Sequence, residues 1–320
     1  MAANFMQKGF DIMTDKAYLL NTHTHTHTHT HTPSLSQTPT ASICIDDANG
    51  IYKCRECGLY MLTGNSFHTP ESPSVEEAIM DSIEALRRGN YRDILARIRK
   101  NLGGTELRGL DVGCARGWFL DEAAKSGIIM DGIEPEHNFF TEAEKRGAEV
   151  IEGLFPQDFT ISREYDFIIF NDVFEHLPDL DSVLRKCREL LKPGGLLIIN
   201  CPDSKGIFFR TAKILMRLGI DSYWRRLWQM DFYSPHLWYF NRDNLQQTVN
   251  AYGFSCVDAS APKTITVKGL RKRIMCNAKN PAAGYAVYLA VMMASPFLTL
   301  LPEDIMCLFF TRKKKEEKLL

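Results

Sequence analysis

The chain lacks, first, an excess of charge of either sign: 38 Lys and Arg against 39 Asp and Glu leave a net charge of -1 over 320 residues. Nothing in that balance draws the whole chain toward nucleic acid or an anionic membrane, so no nucleic-acid partner is expected. No secretory leader is expected either. Met1 to Leu20 carries Lys8, Asp11, Asp15 and Lys16 and no apolar run of signal-peptide length. The nine cysteines lack the regular spacing of a disulfide framework, and Cys187, Cys201, Cys256 and Cys307 fall in apolar or helical runs. Reduced thiols in a cytoplasmic protein are the expectation.

Hydrophobic residues make up 45% of the chain and charged residues 24%, enough for one large core and a small appendage. Thr22 to Thr32 alternates Thr and His strictly, and Pro33 to Ser42 is rich in Ser, Thr and Pro. No face of such a segment can be buried, so residues 1–42 read as a disordered tail. Five of the nine histidines sit there, which invites a metal reading, but a translated CA repeat is the preferred account and the tract carries no functional argument. Next comes Cys54-Arg-Glu-Cys57-Gly58, half of a zinc ribbon, because two thiolates at that spacing reach one tetrahedral ion. Only Cys44 and His68 stand near enough to complete it. Residues 43–73 therefore read as a degenerate zinc-ribbon-like segment, with zinc on Cys54 and Cys57 as the competing reading.

Ser74 to Leu102 is helical in pattern, with apolar Val75, Ile79, Ile83 and Leu86, then Ile94, Leu95 and Ile98, and a break expected at Gly89-Asn90. From there apolar strands (109–112, 128–133, 149–152, 167–170, 196–200, 254–258, 305–311) alternate with helical stretches (117–125, 138–146, 180–191, 242–252). That order predicts βαβ units in residues 74–320: an α/β, Rossmann-like, doubly wound, mostly parallel seven-stranded sheet with an antiparallel last strand.

The most informative segment is Leu110-Asp111-Val112-Gly113-Cys114-Ala115-Arg116-Gly117-Trp118-Phe119. A strand ends at Val112, small residues turn, and a helix begins near Gly117. Such turns at the carboxyl ends of strands are where open α/β sheets bind ligands. The Gly-x-x-x-Gly spacing is not the Gly-x-Gly-x-x-Gly of dinucleotide binders, and Asp111 suits a ligand carrying positive charge. Glu134 closes the next strand, placed to accept bonds from ribose hydroxyls.

Together LDVGCARGWF, GIEPE, YDFIIFNDVFEHLPD and LKPGGLLIIN resemble class I S-adenosylmethionine-dependent methyltransferases, most closely the ubiquinone-biosynthesis O-methyltransferase type. The resemblance runs closely from Arg108 to Asp258. It implies S-adenosylmethionine as cofactor, with Asp111, Gly113, Cys114, Ala115 and Gly117 along its methionine portion. Ala115 stands where the family has a middle glycine. The resemblance further implies Glu134 on the ribose, Gly153 and Leu154 beside the adenine, and Asn171 at the amino-acid end; the usual acid after the third strand is not evident. It also implies a divalent ion (Mg2+ or Mn2+) on Asp172, Glu175 and His176. No Asn-Pro-Pro-Tyr follows the fourth strand, which argues against methylation of DNA bases. Two other classes compete: a non-catalytic binding fold and a nicotinamide-dependent oxidoreductase.

Methyl transfer from a sulfonium needs alignment, and a hydroxyl acceptor needs a base, for which histidine is suited. His176 is the first candidate and His236 the second. The aromatic insertion 203–240, holding Trp224, Trp228 and Trp238, is expected to cap a small-molecule or lipid-like acceptor. Finally, residues 282–301 carry no charge and follow Lys263, Lys268, Arg271, Lys272, Arg273 and Lys279. A single crossing would strand the last strand on the wrong side. The expectation is an interfacial element, with peripheral membrane contact through 263–301; burial against the aromatic insertion is the rival.

Overall fold

The computed structural model describes residues 42–63, 73–230, 234–264, 271, 274–275, 280–298 and 302–313. The His–Thr tract, His68, Lys268, Lys272, Arg273 and Lys279 lie outside the described residues. The main sheet contains β4 (Arg108–Val112), β5 (Ile129–Glu134), β6 (Glu149–Glu152), β7 (Tyr165–Asn171), β8 (Leu191–Pro202), β10 (Phe254–Ser260) and β11 (Ile305–Arg312). Its strand order is β10-β11-β8-β7-β4-β5-β6. Pairings from β6 across to β8 are parallel, and β11 runs antiparallel to both β8 and β10. The chain winds outward from β4 in both directions. The reversal between β4 and β7 opens the crevice where such sheets hold ligands.

Strand alternation sorts side chains to two faces. Leu110, Val112, Ile168, Phe170, Leu197 and Ile199 meet α4 (Leu180–Leu190) and α7 (Arg242–Asn250) on one side. Phe167, Ile169, Leu196 and Ile198 meet α1 (Pro73–Leu102) and α2 (Trp118–Lys125) on the other, where α3 (His137–Glu144) also contributes Ala143. Gly109 permits this packing, since a Cβ there would lie 2.2 Å from the Phe167 ring. α1 runs unbroken through Gly89-Asn90, contrary to the expected split, because Tyr91, Ile94 and Ile98 anchor it on the sheet past that point. Arg88 also ties it to α2 through Asp121 and Glu122. Burial opposes ionisation of Glu122, yet bonds from Lys125, Arg92 and Arg88 pull it down to about 2.

A second, antiparallel sheet joins β1 (Ser42–Asp46), β2 (Ile51–Cys54) and β3 (Tyr60–Leu62) to β9 (Trp238–Tyr239). The N-terminal segment thus pairs with the insertion, Tyr60 opposite Tyr239 and Met61 opposite Trp238. With α5 (Ile207–Arg217) and α6 (Ser222–Leu227) it encloses a third core around Phe209, Trp224 and Trp228. The eight described cysteines are all free thiols.

Candidate functional site

Three strand ends build the site. β4 leads into Gly113, Ala115 and Gly117, all with left-handed φ of 71°, 45° and 72°. Ala115 adopts that conformation without being glycine, which costs strain of the kind functional turns hold. Its N–H donates to Glu134 Oε2 at 2.8 Å, and the N–H of Glu136 donates to Oε1 at 2.9 Å. Turn and carboxylate are therefore in direct contact. Burial pushes Glu134 up to about 7 despite those two donors. Burial also lifts Asp111 well above the carboxylate range, with Asn171 pulling the other way and Glu134 adding to the rise. Cys114 offers only backbone here, its side chain being buried in the core under α2. A Cβ on Gly113 would meet Val173 Cγ2 at 2.5 Å. Gly113→Val, a β-branched residue at positive φ, is expected to weaken S-adenosylhomocysteine binding at least about tenfold by titration calorimetry. Wild-type affinity in that variant would show the turn to be away from the ligand.

At the next loop Gly153 N–H donates to Glu134 O, and Asp158 Oδ2 accepts from Leu154 N–H at 2.8 Å. Asp158 is an acid that sequence reasoning missed. It stands several positions past the strand end, and only the loop's return brings it back.

From the turn, a row of buried polar side chains crosses the strand ends: Asp111 on β4, Asn171 on β7 and Asn200 on β8, the last two 3.5 Å apart. Asp111 Oδ1, Asn171 Nδ2 and Asn200 Oδ1 have no protein partner. Asn200 opens onto a cavity of about 300 Å3 under the insertion. Its walls include Leu86 and Tyr91 of α1, Phe208 and Phe209 of α5, Tyr239 of β9, and the ion pair Arg87–Asp172 at 2.9 Å. Asp172 holds φ 55°, a second strained non-glycine at a strand end. Arg87, Tyr91 and the strained Asp172 had no sequence signal as cavity residues.

His176 and His236 stand one layer behind this cavity, rings 4.7 Å apart, with Tyr239 between His236 and the space. His176 Nδ1 lies 2.9 Å from Pro235 O, an acceptor, so Nδ1 carries the proton and Nε2 stays basic. Burial lowers the pKa of both rings, that of His236 further, with His176 adding to the effect. Of the anticipated divalent set, Glu175 and His176 come together, but Arg87 holds Asp172 away and His236 takes its place. The ligand atoms of Glu175, His176 and His236 lie within 4.8 Å of one another. Both Glu175 oxygens and His236 Nδ1 are buried without partners, and burial lifts the Glu175 carboxyl well up. That donor set fits a divalent ion. The Cys54–Cys57 pair differs. Among the described residues no third ligand joins it, Cys44 turns to Asp47, and burial pushes the Cys57 thiol up to about 11.

A family model described as a methyltransferase domain matches residues 83–259. The ubiquinone biosynthesis O-methyltransferase of Histophilus somni is 34% identical over 109 residues, 31% of this chain and 46% of that protein. Its counterpart from Bradyrhizobium diazoefficiens is 26% identical over 145 residues, 40% of this chain and 54% of that one. The chain spans about half the length of these curated relatives. In fold it is similar to a chain from the complex between the Haloferax volcanii Trm112 methyltransferase activator and a methyltransferase. The TM-score is 0.51 at 11% identity, covering 77% of this chain and 100% of that one. The matched model supports the methyltransferase reading over the nicotinamide one. With more than half its length in that model, and a glycine turn bonded to a buried carboxylate at the sheet's switch point, the chain belongs to the class I S-adenosylmethionine-dependent methyltransferase family.

Proposed function

We propose that the chain transfers a methyl group from S-adenosylmethionine to an oxygen of a small-molecule or lipid-like acceptor held in the cavity beside Asn200. The supporting observation is the row of buried polar side chains Asp111, Asn171 and Asn200 on successive strand ends, whose last member lines the cavity. The sulfonium then lies over Asp111, the ribose on Glu134 and the adenine beside Gly153, Leu154 and Asp158. The apolar walls suit a ring- or chain-bearing acceptor, and the name of the relatives supports oxygen as the target.

In the reaction the acceptor oxygen attacks the methyl carbon, the carbon–sulfur bond breaks, and S-adenosylhomocysteine leaves neutral at sulfur. Alignment supplies most of the acceleration. His176 stands a layer behind the cavity, so the acceptor proton reaches the basic Nε2 of this neutral ring through one bridging water, with His236 packed against the ring. Were a divalent ion held by Glu175, His176 and His236, His176 would ligate through Nε2, and the ion would take the place of the ring as the group that lowers the pKa of a bound water or hydroxyl.

His176→Ala is expected to lower turnover by roughly 100-fold or more while leaving S-adenosylhomocysteine affinity unchanged. Equal turnover in the variant would remove the histidine from the chemistry. The overall reading is tested with labelled donor and a cell lipid extract. Label in an alkyl-ether product, together with S-adenosylhomocysteine binding, supports it. Binding without transfer to any acceptor would favour the non-catalytic fold, and no binding would end both.

A further inference from the structure

The insertion carries more exposed apolar surface than capping a cavity requires. α5 buries Phe209 and Ala212 against Trp224, and its outward face is apolar as well. Ile214 is 58% and Leu218 72% exposed, followed by Ile220 and Tyr223 at 46% and 60%. Arg210 and Arg217, one heptad apart, flank that outward strip. In a chain of net charge -1, residues 205–230 hold Lys205, Arg210, Lys213, Arg217, Arg225 and Arg226 against the single acid Asp221.

A second apolar element behaves alike. α8 (Pro281–Leu298) exposes Val287, Leu289 and Met293, and Gly284 alone is buried among its described residues. The rival expectation, burial of this run against the aromatic insertion, is not what the described side chains show. No helix among the described residues is long and apolar enough to cross a membrane. Both insertions spring from the cavity rim. The chain leaves it at Asp203 toward α5, leaves it again at Thr264 and returns at Asp304, and all three residues line the cavity.

We propose that the α5–α6 hairpin docks on an anionic phospholipid bilayer, with Ile214 and Leu218 among the acyl chains and Arg210 and Arg217 at the headgroups. The acceptor then enters the cavity laterally from that bilayer. An apolar strip edged by cations is the pattern that lies in a membrane interface. Self-association through the same face is opposed, because two-fold symmetry would set Arg210 and Arg217 against their own copies. The entry route rests on the methyl-transfer reading, whereas the docking surface does not.

The test is co-sedimentation of the full chain with vesicles of phosphatidylcholine, with and without phosphatidylglycerol, at low and high salt and with no donor present. Binding to the anionic vesicles that falls with salt is expected. It should weaken at least about tenfold in Ile214→Asp/Leu218→Asp and in Arg210→Gln/Arg217→Gln. S-adenosylhomocysteine affinity, read separately, should be unchanged in both variants; its loss in the wild type would strike the methyl-transfer reading and leave the docking result standing. Absence of binding to anionic vesicles, equal binding to the zwitterionic ones at every salt, or wild-type binding by the aspartate pair would each overturn the proposal. So would a wild-type dimer in sedimentation velocity that the aspartate pair splits.

Discussion

Glu134→Gln is expected to weaken S-adenosylhomocysteine binding by about 2–3 kcal/mol, roughly 30- to 160-fold, and to abolish its pH dependence. Both carboxylate oxygens already accept backbone N–H groups, one from the turn at Ala115 and one from Glu136. An amide keeps one acceptor and turns its NH2 on the other donor, so the turn loses its brace and the ribose its carboxylate. The pH effect follows from burial, which raises this group from 4.5 to about 7. Ribose hydroxyls donate to the ionised form, so below pH 7 binding must expel a proton. Affinity should climb about tenfold per pH unit up to about 7 and level off above. Stability of the free protein runs the other way. The native state holds the Glu134 proton more tightly than the unfolded chain, so this group's contribution is greatest below about 4.5 and declines as pH rises toward 7. Calorimetric titrations at pH 6 and pH 8 decide it. Equal wild-type affinities, or tighter binding at pH 6, would contradict this role for Glu134.

Asp131→Ala is expected to cost about 3–5 kcal/mol of stability, lowering Tm by roughly 6–15 °C. Asp131 is 1% exposed in the middle of β5 and accepts from Arg108 at 3.0 Å, Arg163 at 3.3 Å and the Tyr165 hydroxyl at 2.8 Å. One carboxylate thus joins three adjacent strand regions at the end of the sheet away from the cofactor turn. Its removal leaves a buried phenol hydroxyl and a half-buried guanidinium without their acceptor. Arg163→Ala, at an outer and more exposed position, should cost under about 1 kcal/mol. Thermal melts of the two variants distinguish a buried hub from an ordinary surface ion pair. Matching losses would deny Asp131 its special weight. S-adenosylhomocysteine affinity should survive in both.

The central strands are legible because Tyr165–Asn171, Leu191–Pro202 and Ile305–Arg312 carry runs of Ile, Leu and Phe buried on both faces, recognisable from local composition. The edge strands Glu149–Glu152 and Phe254–Ser260 are instead recognisable from their place in the alternation. Boundaries shifted by a few residues where pairing extended a strand past its apolar stretch, as at Leu191–Pro202 and Tyr165–Asn171. The glycine turn and Glu134 were legible for a related reason: a strand end, a tight turn and a helix start are written in consecutive residues. Asp158, by contrast, is an unremarkable loop acid until the chain returns it to Leu154. The ion pair Arg87–Asp172 joins a helix before the sheet to a strand end in its middle, a pairing that neither local segment encodes. From sequence alone His236 is a candidate second base, and the resemblance implies Asp172 as a metal ligand. Packing instead sets His236 beside His176 and Glu175, and Arg87 occupies Asp172.

Order along the chain was sufficient to settle the doubly wound sheet, its antiparallel final strand and the glycine turn after β4, since each depends on contacts between near neighbours or on a repeated pattern. Which acids and histidines face one another, how the N-terminal strands close on β9, and which apolar residues stay outside were decided only in three dimensions. Those outcomes depend on groups far apart in sequence sharing one buried volume. There the desolvation of a charge or the burial of a ring is balanced by whichever partner the folded chain delivers.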